Sequence, residues 1–302
     1  MKILLIHTHY QFRGGEDAVF EQEQSLLQEG NQVETLVFHN KNGWRGALQF
    51  FFSVWNLSAI IKVRRKIQVF KPDVVHIHNW HYASGPAIIR TAKRFGVPVL
   101  LTLHNYRLLC PSGSLMNGNT IFTDSMYADF PWKAVQLKVF RDSVVQTFWL
   151  AFVVWFHKKI GTWHLVDRYL VLTDFARNLY RSSQLGIDPA KLLIKPNFVQ
   201  RPEQLRQIRA GHFLYIGRLS DEKGVNILLS TFQNSAYKLS IAGDGPLADL
   251  VERASSVSSN IHYLGTLDRY GVQQGMQTCT ALLFPSIWYE GMPMTILEAF
   301  SL

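Results

Sequence analysis

Short apolar runs alternate with amphipathic stretches over the first two-thirds of the chain. The runs have the length and the aliphatic, often β-branched, content of buried strands, and they are Lys2–His7, Val33–Phe38, Val74–His78, Val97–Leu103 and Tyr169–Leu172. The stretches with helical spacing between them are Glu16–Glu29, Ser58–Phe70 and Ala83–Phe95. Because strands that alternate with helices form parallel sheets covered on both faces, the pattern predicts an α/β unit.

The same pattern restarts after Pro196 and Asn197. The second set of predicted strands is His212–Ile216, Tyr237–Ile241, Ile261–Leu264 and Ala281–Pro285. The predicted helices of this part are Val225–Phe232, Leu247–Ala254 and one that starts near Thr295. We therefore expect two α/β domains of unequal size, 1–197 and 198–302, joined near residues 197–210. Ligands of such folds lie outside the carboxyl ends of the strands, so we expect the chemistry in loops that follow strands.

An insertion at about 106–165 interrupts the pattern. It contains Val144–Phe156, thirteen residues of which two are polar, and a membrane span needs about 20 residues. Two interpretations stay open: a buried core helix, or a helix in the membrane interface flanked by Lys158 and Lys159 and supported by the basic run Lys62–Lys66. The basic run alone is equally typical of a solvated helix face.

Composition indicates a compartment and a class of partner. The chain has 302 residues, 47% of them hydrophobic, which excludes an intrinsically disordered protein. Its net charge of +9 predicts an acidic partner such as phosphate groups, anionic lipid or nucleic acid. Two cysteines, Cys110 and Cys279, exclude a disulfide framework and a four-cysteine zinc site, and Met1–Tyr10 does not have the pattern of a secretory signal. We expect a cytoplasmic protein, either soluble or peripheral at the inner face of the plasma membrane.

Two loops offer groups that can bind an anion. Gly14 and Gly15 follow the first predicted strand and precede a helix, where unpaired N–H groups can meet a negative charge, although a tight turn explains the glycines equally well. Arg218 and Lys223 lie five positions apart in the loop Gly217–Gly224, which also joins a strand to a helix. Their guanidinium and ammonium groups suit phosphate oxygens. The alternative is surface pairing with the two acidic residues between them.

Two glutamates flank the start of the last predicted helix. Glu290 lies in the loop before it and Glu298 lies about one turn inside it. A carboxylate accepts two hydrogen bonds from a vicinal diol, so the pair is a candidate for recognition of sugar hydroxyls. Helix stabilisation through the dipole is the alternative.

Histidines are concentrated in the first domain, at positions His7, His9, His76, His78, His81 and His104. We expect the side chains of His76 and His78 to face opposite sides of their strand, which argues against a shared zinc ion. His104 follows a predicted strand directly and is the best placed of the six for a substrate contact or a proton role. A capping or core histidine remains the alternative.

Several common catalytic motifs do not occur in the sequence. It has no G-x-S-x-G, no Walker P-loop and no G-x-G-x-x-G. Serine hydrolysis through a nucleophile elbow, P-loop nucleotide hydrolysis and dinucleotide redox chemistry therefore have no residue support.

Taken together, the segments resemble the retaining glycosyltransferases of family 4, which have the GT-B fold, and in particular bacterial enzymes of cell-envelope polysaccharide synthesis. The matching segments are Gly14-Gly15, His76–Asn79, Leu101–Arg107, Val171–Arg177, Lys195–Val199, Gly217–Gly224, Ala242–Pro246 and Pro285–Ala299. The last contains the E-x7-E pair of the family. The resemblance implies two Rossmann-like domains, an acceptor-side domain at 1–197 and a donor-binding domain at 198–302.

The resemblance also implies roles for the reacting end of the donor. Arg218 and Lys223 would bind the diphosphate of a nucleotide-sugar, which Gly14 and Gly15 would approach from the other domain. Glu290 would bind hydroxyls of the donor sugar. His104 would lie near the reacting sugar and act with Glu290 in catalysis.

The remaining donor contacts come from the last segment. Glu298 would hold the ribose hydroxyls, and the backbone amides of four consecutive residues would complete the cradle around the donor: Gly291, Met292, Pro293 and Met294. Because fixed cations and amides can stabilise the leaving diphosphate, we expect no metal ion and no cofactor.

This sequence departs from the family in two places. Related chains carry further cysteines soon after a Cys-Pro pair, and none follows Cys110-Pro111 here before Asp124. Family members also continue for several strands and helices beyond the position of Leu302, so we expect the second domain to be incomplete.

The predicted activity is transfer of a sugar from a nucleotide-diphosphate-sugar to a glycan or lipid-linked acceptor, with an anionic membrane surface as a further partner. A non-catalytic remnant that binds acceptor or membrane is one alternative, and a nucleotide-sugar epimerase is another. Nucleic acid is not expected as a partner. Nucleic-acid binding would explain the net positive charge, but it would not explain the ordered motifs.

Overall fold

The computed structural model describes residues 1–10, 14–200 and 211–302. They divide into two compact units, Met1–Asn197 and Phe198–Leu302. Part of the predicted joining segment, 201–210, lies outside the described residues, as do residues 11–13 before Gly14.

Strands and helices alternate through the first unit. Its strands are β1 (Lys2–His9), β2 (Gln32–His39), β3 (Val74–Ile77), β4 (Val99–Leu103), β5 (Met116–Asn117), β6 (Thr120–Ile121), β7 (Arg168–Val171) and β8 (Leu192–Ile194). Its helices are α1 (Gly15–Gln28), α2 (Gly43–Phe52), α3 (Leu57–Phe70), α4 (Ala87–Arg94), α5 (Trp132–Gln136), α6 (Val144–Lys159) and α7 (Asp174–Ser182). Six strands form one parallel sheet in the order β2-β1-β3-β4-β7-β8, and β5 pairs with β6 as an antiparallel hairpin.

The apolar runs lie in the centre of this sheet, as the sequence predicts. Leu4, Leu5 and Ile6 of β1 are all fully buried, so neighbouring side chains on both faces of the strand are covered. Helix α3 begins where the Asn56 side chain accepts a hydrogen bond from the Ala59 N–H at 3.0 Å. It ends directly before Lys71, Pro72 following as the predicted stop.

Two predicted elements of this unit begin later in the structure. Helix α4 begins at Ala87 rather than at Ala83, because Gly85 has a left-handed backbone (φ +72°) that interrupts a right-handed helix. Strand β4 begins at Val99 rather than at Val97, after Pro98, which has no N–H to give to a ladder. Helices α2, α5 and α7 are additions to the predicted set.

The second unit repeats the arrangement on a smaller scale. Its strands are β9 (His212–Ile216), β10 (Lys238–Ala242), β11 (Ile261–Tyr263) and β12 (Ala281–Leu282), and its helices are α8 (Val225–Phe232), α9 (Ala248–Val257), α10 (Arg269–Thr278) and α11 (Met294–Ser301). All four strands are parallel, in the order β11-β10-β9-β12. The predicted strand Ala281–Pro285 pairs only over its first two residues. Helix α10 is an addition.

The strand order reverses once in each parallel sheet, and these points locate candidate sites. In the first unit the reversal lies between β1 and β3, and in the second unit it lies between β9 and β12. Ligands of open α/β sheets bind outside the carboxyl ends of the strands at such a switch point. The loops after these four strands are therefore where each unit is built to hold a ligand.

Helix α6 of the insertion is partly covered by the first unit. Thr147, Leu150, Ala151, Val153 and His157 are buried, and the other side chains are partly or fully exposed. Among the described residues no single helix has the length and apolar content to cross a membrane, although the bent pair of Gly43–Trp55 and Leu57–Phe70, at 65°, meets that test by length and composition.

Candidate functional site

The switch point of the second unit brings together two of the predicted site residues. Lys223 lies in the loop after β9, and Glu290 lies in the loop after β12. The Lys223 Nζ donates to Glu290 Oε1 at 2.7 Å, and the two side chains are 21% and 18% exposed. A cation and a carboxylate that are 67 positions apart in the sequence thus meet at the carboxyl-terminal edge of the sheet, where ligands of this fold class bind.

The surroundings of this ion pair fix its geometry. The Lys223 ammonium lies 4.9 Å from the centre of the Trp288 ring, a cation–π contact, and the Ser286 hydroxyl donates to Glu290 Oε1 at 2.8 Å. The Ile287 N–H donates to the carbonyl of Glu222 at 3.0 Å and ties the two loops together. Both charged groups are therefore held in place before any ligand arrives.

The predicted alternative for Lys223, pairing with an acidic neighbour in its own loop, is wrong. Glu222 Oε1 accepts from the Ser220 hydroxyl, and Asp221 Oδ1 accepts from the Asn226 side chain, both at 2.6 Å. Both carboxylates thus face local donors, and the Lys223 ammonium is directed to the neighbouring loop instead.

Glycines allow the loops of this site to approach one another closely. Gly224 has a left-handed backbone (φ +73°), and a Cβ added there would clash with the carbonyl oxygen of Pro285. A Cβ added to Gly243 would clash with the carbonyl oxygen of Gly217. The Leu219 N–H donates to the carbonyl of Asp244 at 2.9 Å across the same contact. The Ala242–Pro246 and Gly217–Gly224 segments are thus packed backbone to backbone.

Arg218 and Glu298 are placed differently from this pair. Arg218 is exposed, and within the described residues its guanidinium makes no hydrogen bond or ion pair, while its carbonyl accepts from the Tyr215 hydroxyl at 2.8 Å. Glu298 lies on α11, where burial raises its pKa and the charge of Arg269 partly offsets this. The structure thus joins Lys223 to Glu290 and leaves the guanidinium of Arg218 free for a ligand.

The four residues expected to contribute backbone amides lead into α11. Gly291 and Met292 lie in the loop, Pro293 is the N-cap residue of the helix, and Met294 is its first residue. The expectation of four amides is wrong at one position, because Pro293 has no N–H to donate. The backbone N–H donors of this segment are therefore those of Gly291, Met292 and Met294.

Gly14 and Gly15 begin α1 in the first unit. Gly14 is the N-cap residue with an extended backbone (φ −131°), and its N–H donates to Asp17 Oδ2 at 2.8 Å. Among the described residues, nothing lies within 4 Å of a Cβ added to Gly14. Neither its backbone conformation nor its described neighbours therefore require a glycine at this position.

The expectation that His76 and His78 face opposite sides of their strand is wrong. Residues two positions apart on a strand share a face, and the two ring centres are 4.3 Å apart. Both rings face the buried carboxylate of Glu23, with His76 Nδ1 at 3.4 Å from Oε1 and His78 Nε2 at 3.7 Å from Oε2. The ammonium of Lys195 donates to Oε2 at 2.6 Å. Burial lowers the pKa of His76 to about 3 and that of His78 well below its usual range, so both rings are neutral.

Among the described residues of the first unit, two clusters have donor atoms close enough for a metal ion. His7, His9 and Asp17 form one, and Glu23, His76 and His78 form the other, each with its atoms within 4.8 Å. The chain itself supplies cations and donors to both carboxylates. Burial alone would raise the pKa of Asp17, but hydrogen bonds from His7, the Gly14 N–H and His9 lower it to about 2. The geometric reason given against zinc therefore fails, and metal independence stays a prediction.

His104 lies at the carboxyl end of β4, as predicted. Its Nε2 is 3.2 Å from Nδ1 of His78, so one of the two nitrogens donates and the other accepts. Burial lowers the pKa of His104 to about 3. The imidazole is therefore neutral near pH 7 and is suited to hydrogen bonding rather than to donating a proton as an imidazolium.

Glu16, which lies next to the predicted glycines, was not among the predicted site residues. Its Oε1 accepts from the Asn105 amide at 2.8 Å and its Oε2 from the Asn79 amide at 3.0 Å. Burial raises the pKa of Glu16 to about 7, and the two amides and the charge of Arg107 lower it only in part. A repeated His-Asn pair, His78-Asn79 and His104-Asn105, after two neighbouring strands was the signal that could have located this carboxyl.

Comparisons with known proteins find a glycosyltransferase family match for most of the chain. Residues 12–197 match the Glycosyl transferase 4-like domain, and residues 210–302 match Glycosyl transferases group 1. A curated relative, D-rhamnosyltransferase WbpZ of Pseudomonas aeruginosa, is 34% identical over 103 residues, a stretch that covers 33% of this chain and only 27% of that relative.

Solved structures with the same fold have low sequence identity. The structure of HepE from Anabaena in complex with UDP and glucose is 15% identical, with a TM-score of 0.61, and the match covers 100% of this chain and 78% of HepE. An alpha-glucosyltransferase in complex with UDP and a DNA that contains an HMU base is 11% identical, with a TM-score of 0.54, and the match covers 100% of this chain and 77% of that enzyme.

The predicted α/β class with two Rossmann-like parallel sheets is confirmed, and its structural neighbours are GT-B glycosyltransferases. The first family match extends over more than half of the residues. The chain therefore belongs to the glycosyl transferase 4-like family.

Proposed function

We propose that this protein transfers a sugar from a nucleotide-diphosphate-sugar donor to a hydroxyl of an acceptor, with retention of the anomeric configuration. The observation that carries the proposal is the preformed pair of Lys223 and Glu290 at the switch point of the second unit. One partner suits a phosphate oxygen and the other suits sugar hydroxyls. The match of 210–302 to group 1 glycosyltransferases supports the same assignment.

The second unit, 198–302, is the donor-binding domain in this proposal. Lys223 and the free guanidinium of Arg218 bind the diphosphate, and Glu290 binds hydroxyls of the donor sugar. Glu298 holds the ribose, and the backbone of Gly291–Met294, apart from the proline nitrogen, donates to the donor. HepE and the alpha-glucosyltransferase were both solved with UDP, which makes UDP-sugars the first donors to test.

The reaction breaks the bond between the anomeric carbon and the diphosphate and forms a bond from that carbon to the acceptor oxygen. The leaving diphosphate gains negative charge, which fixed cations such as Lys223 and Arg218 stabilise in the transition state. A leaving phosphate oxygen takes the proton of the acceptor hydroxyl, so no separate base is needed. No metal ion enters this scheme.

The first unit, 1–197, is the acceptor-side domain. Gly14 and Gly15 lie at the amino end of α1, where the backbone N–H groups of the first turn can meet an anionic group of the substrates. His104, neutral at pH 7, donates or accepts a hydrogen bond at the reacting sugar. The acceptor is a glycan or a lipid-linked glycan of the bacterial cell envelope, and the reaction takes place at the cytoplasmic face of the membrane. The relative named as a D-rhamnosyltransferase supports a hexose-type donor sugar.

The experiment is an assay of nucleoside diphosphate release from UDP- and GDP-sugars, with and without glycan and lipid-linked acceptors. We expect acceptor-dependent release that Lys223→Ala and Glu290→Gln abolish, while Arg253→Ala, an exposed arginine on α9, leaves it unchanged. NMR of the product reports the anomeric configuration. Conversion of the donor sugar without any acceptor would identify an epimerase instead, and release by neither route would identify a non-catalytic binding protein.

A further inference from the structure

Helix α2 presents an apolar face to the solvent. None of its residues is buried, although its sequence is GWRGALQFFF. Trp44, Leu48, Phe51 and Phe52 recur at helical spacing on one side, and they are between 43% and 70% exposed. Soluble monomers rarely leave a contiguous apolar patch of this kind uncovered. The face is therefore a candidate contact surface.

The opposite side of α2 is attached to the rest of the first unit. The Gln49 side chain donates to the carbonyl of His39 at 3.2 Å, and the Trp149 indole N–H donates to the carbonyl of Phe50 at 2.9 Å. The rings of Phe50 and Tyr82 lie 5.3 Å apart. These contacts orient the helix, so its apolar face is directed outward by the fold.

The first turns of α3 also expose apolar side chains. Leu57 and Ile61 are 64% and 58% exposed, and Arg64 and Arg65 follow on the same side, seven and eight positions after Leu57. The other side of α3 is packed into the unit, through the buried residues Ala59, Val63, Ile67 and Phe70. One side of this helix thus changes from apolar to basic along its length.

The positive charge of residues 41–72 favours an anionic partner. Residues 41–72 contain seven lysines and arginines and no aspartate or glutamate, and Lys66 among them pairs with Glu34 outside the segment. Two copies of this surface would repel each other, whereas an anionic lipid layer offers acyl chains to the apolar side chains and phosphates to the guanidinium groups. Because α3 is packed along one side, the two helices lie along the membrane rather than across it.

We propose that α2 and the first turns of α3 bind the interface of an anionic membrane. Trp44, Leu48, Phe51 and Phe52 enter the boundary between headgroups and acyl chains, and Arg64 and Arg65 contact lipid phosphates. This assignment replaces α6, for which the sequence suggested the role. The lysines at the end of α6, Lys158 and Lys159, pair with Asp129 at 3.0 and 2.8 Å. The proposal specifies the membrane partner of the proposed glycosyltransferase, and vesicle binding requires neither donor nor catalysis, so each can fail alone.

The test is flotation of the chain with vesicles of phosphatidylcholine alone and of phosphatidylcholine mixed with phosphatidylglycerol. We expect binding to the mixed vesicles only, and weaker binding at high salt. Trp44→Ser with Phe52→Ser should abolish binding. Arg64→Glu with Arg65→Glu should reduce the partition coefficient roughly tenfold or more, since each basic residue near such a surface contributes about 1 kcal/mol.

A matched control comes from exposed apolar residues elsewhere. Val257 and Tyr270 of the second unit are 82% and 67% exposed, and Val257→Ser with Tyr270→Ser should bind vesicles like the parent chain. Circular dichroism and thermal unfolding establish that each variant is folded. Equal binding to both kinds of vesicle, or folded α2 and α3 variants that float like the parent, would overturn the proposal. So would a parent chain that binds neither kind of vesicle, and a dimer by light scattering would then identify a second copy as the partner.

Discussion

The Lys223 ammonium donates to the Glu290 carboxylate at 2.7 Å, so the cation that is proposed to bind phosphate is already neutralised in the free protein. A nucleoside diphosphate has to compete with Glu290 for this ammonium. The pair is partly buried, and so its charges are screened less than those of a surface pair. The two residues are therefore coupled, and their variants should have opposite effects on nucleotide binding.

The Glu290→Gln variant distinguishes binding of the nucleotide from binding of the donor sugar. Removal of the carboxylate frees Lys223 and removes repulsion of the diphosphate, so plain UDP or GDP should bind severalfold more tightly, an effect of about 1 kcal/mol. Transfer activity should fall at least a hundredfold, about 2.7 kcal/mol, because the contact with the sugar hydroxyls is lost. Calorimetric titration and the release assay measure the two effects. A parallel loss of nucleotide affinity and activity would mean that Glu290 supports the nucleotide rather than the sugar.

A substitution at Gly224 tests whether the close contact between this residue and the Pro285 carbonyl determines the geometry of the site. Gly224 and Gly265 have similar left-handed backbones, φ +73° and φ +65°, but only an alanine at 224 would clash with the carbonyl of Pro285. Gly265→Ala should cost about 1 kcal/mol in the free energy of unfolding, from backbone strain alone. Gly224→Ala should cost clearly more and should weaken nucleotide binding, as measured by denaturant unfolding and calorimetry. Equal costs for the two variants would contradict the packing described here.

Glu16 should give a distinctive pH dependence of stability. Its carboxyl has an ordinary pKa of 4.5 and a folded-state pKa of about 7, so the folded state binds the proton more tightly. Its contribution to stability is therefore largest at low pH and is lost as the pH rises through about 7. Glu16→Gln removes this titration. Between about pH 5 and 8 the variant should gain on the order of 2 kcal/mol in unfolding free energy relative to the parent chain.

Urea unfolding of both proteins across this pH range measures the difference. Glu29→Gln, at the exposed carboxyl end of α1, is the matched control for loss of a carboxyl group from this helix. If the difference between Glu16→Gln and the parent chain did not change with pH, the Glu16 carboxyl would not be buried and hydrogen-bonded to the two amides.

His104 should not titrate near neutral pH. Its pKa of about 3 keeps the ring neutral from about pH 5 to 8, so its carbon and nitrogen NMR signals should stay constant over that range. His104→Gln assigns the signals, and exposed His262 provides the reference for a solvated ring. A midpoint near pH 6.5 for His104 would restore a role as a proton donor and would contradict the burial described here.

The fold was predictable because its strands are nearly continuous apolar runs. Lys2–His7 and Val33–Phe38 are recognisable alone, and both are strands that extend one or two residues beyond the predicted ends. Helix α2 was not predictable in this way, because Trp44, Leu48, Phe51 and Phe52 are typical of a buried helix and instead face outward. Hydrophobic periodicity indicates which side of a helix is apolar, but it does not indicate whether another element covers that side.

The candidate site was predictable as a set of residue types and not as a set of contacts. The loops that contain Lys223 and Glu290 are recognisable from their spacing, but that the two side chains meet depends on β9 and β12 being neighbours in the sheet. Glu16 follows the same rule, since Asn79 and Asn105 reach it only because β3 and β4 are adjacent. Contacts between residues far apart in the sequence depend on the strand order of the sheet, which the local sequence pattern does not specify.

Calorimetric titration of UDP and GDP into the parent chain and into Lys223→Ala determines whether the Lys223 loop binds a nucleoside diphosphate. We predict that the parent binds at least one of the two nucleotides and that Lys223→Ala, folded by circular dichroism, loses at least tenfold in affinity, about 1.4 kcal/mol. Arg253→Ala should bind like the parent. Undiminished affinity in folded Lys223→Ala would place the phosphates elsewhere and contradict the account.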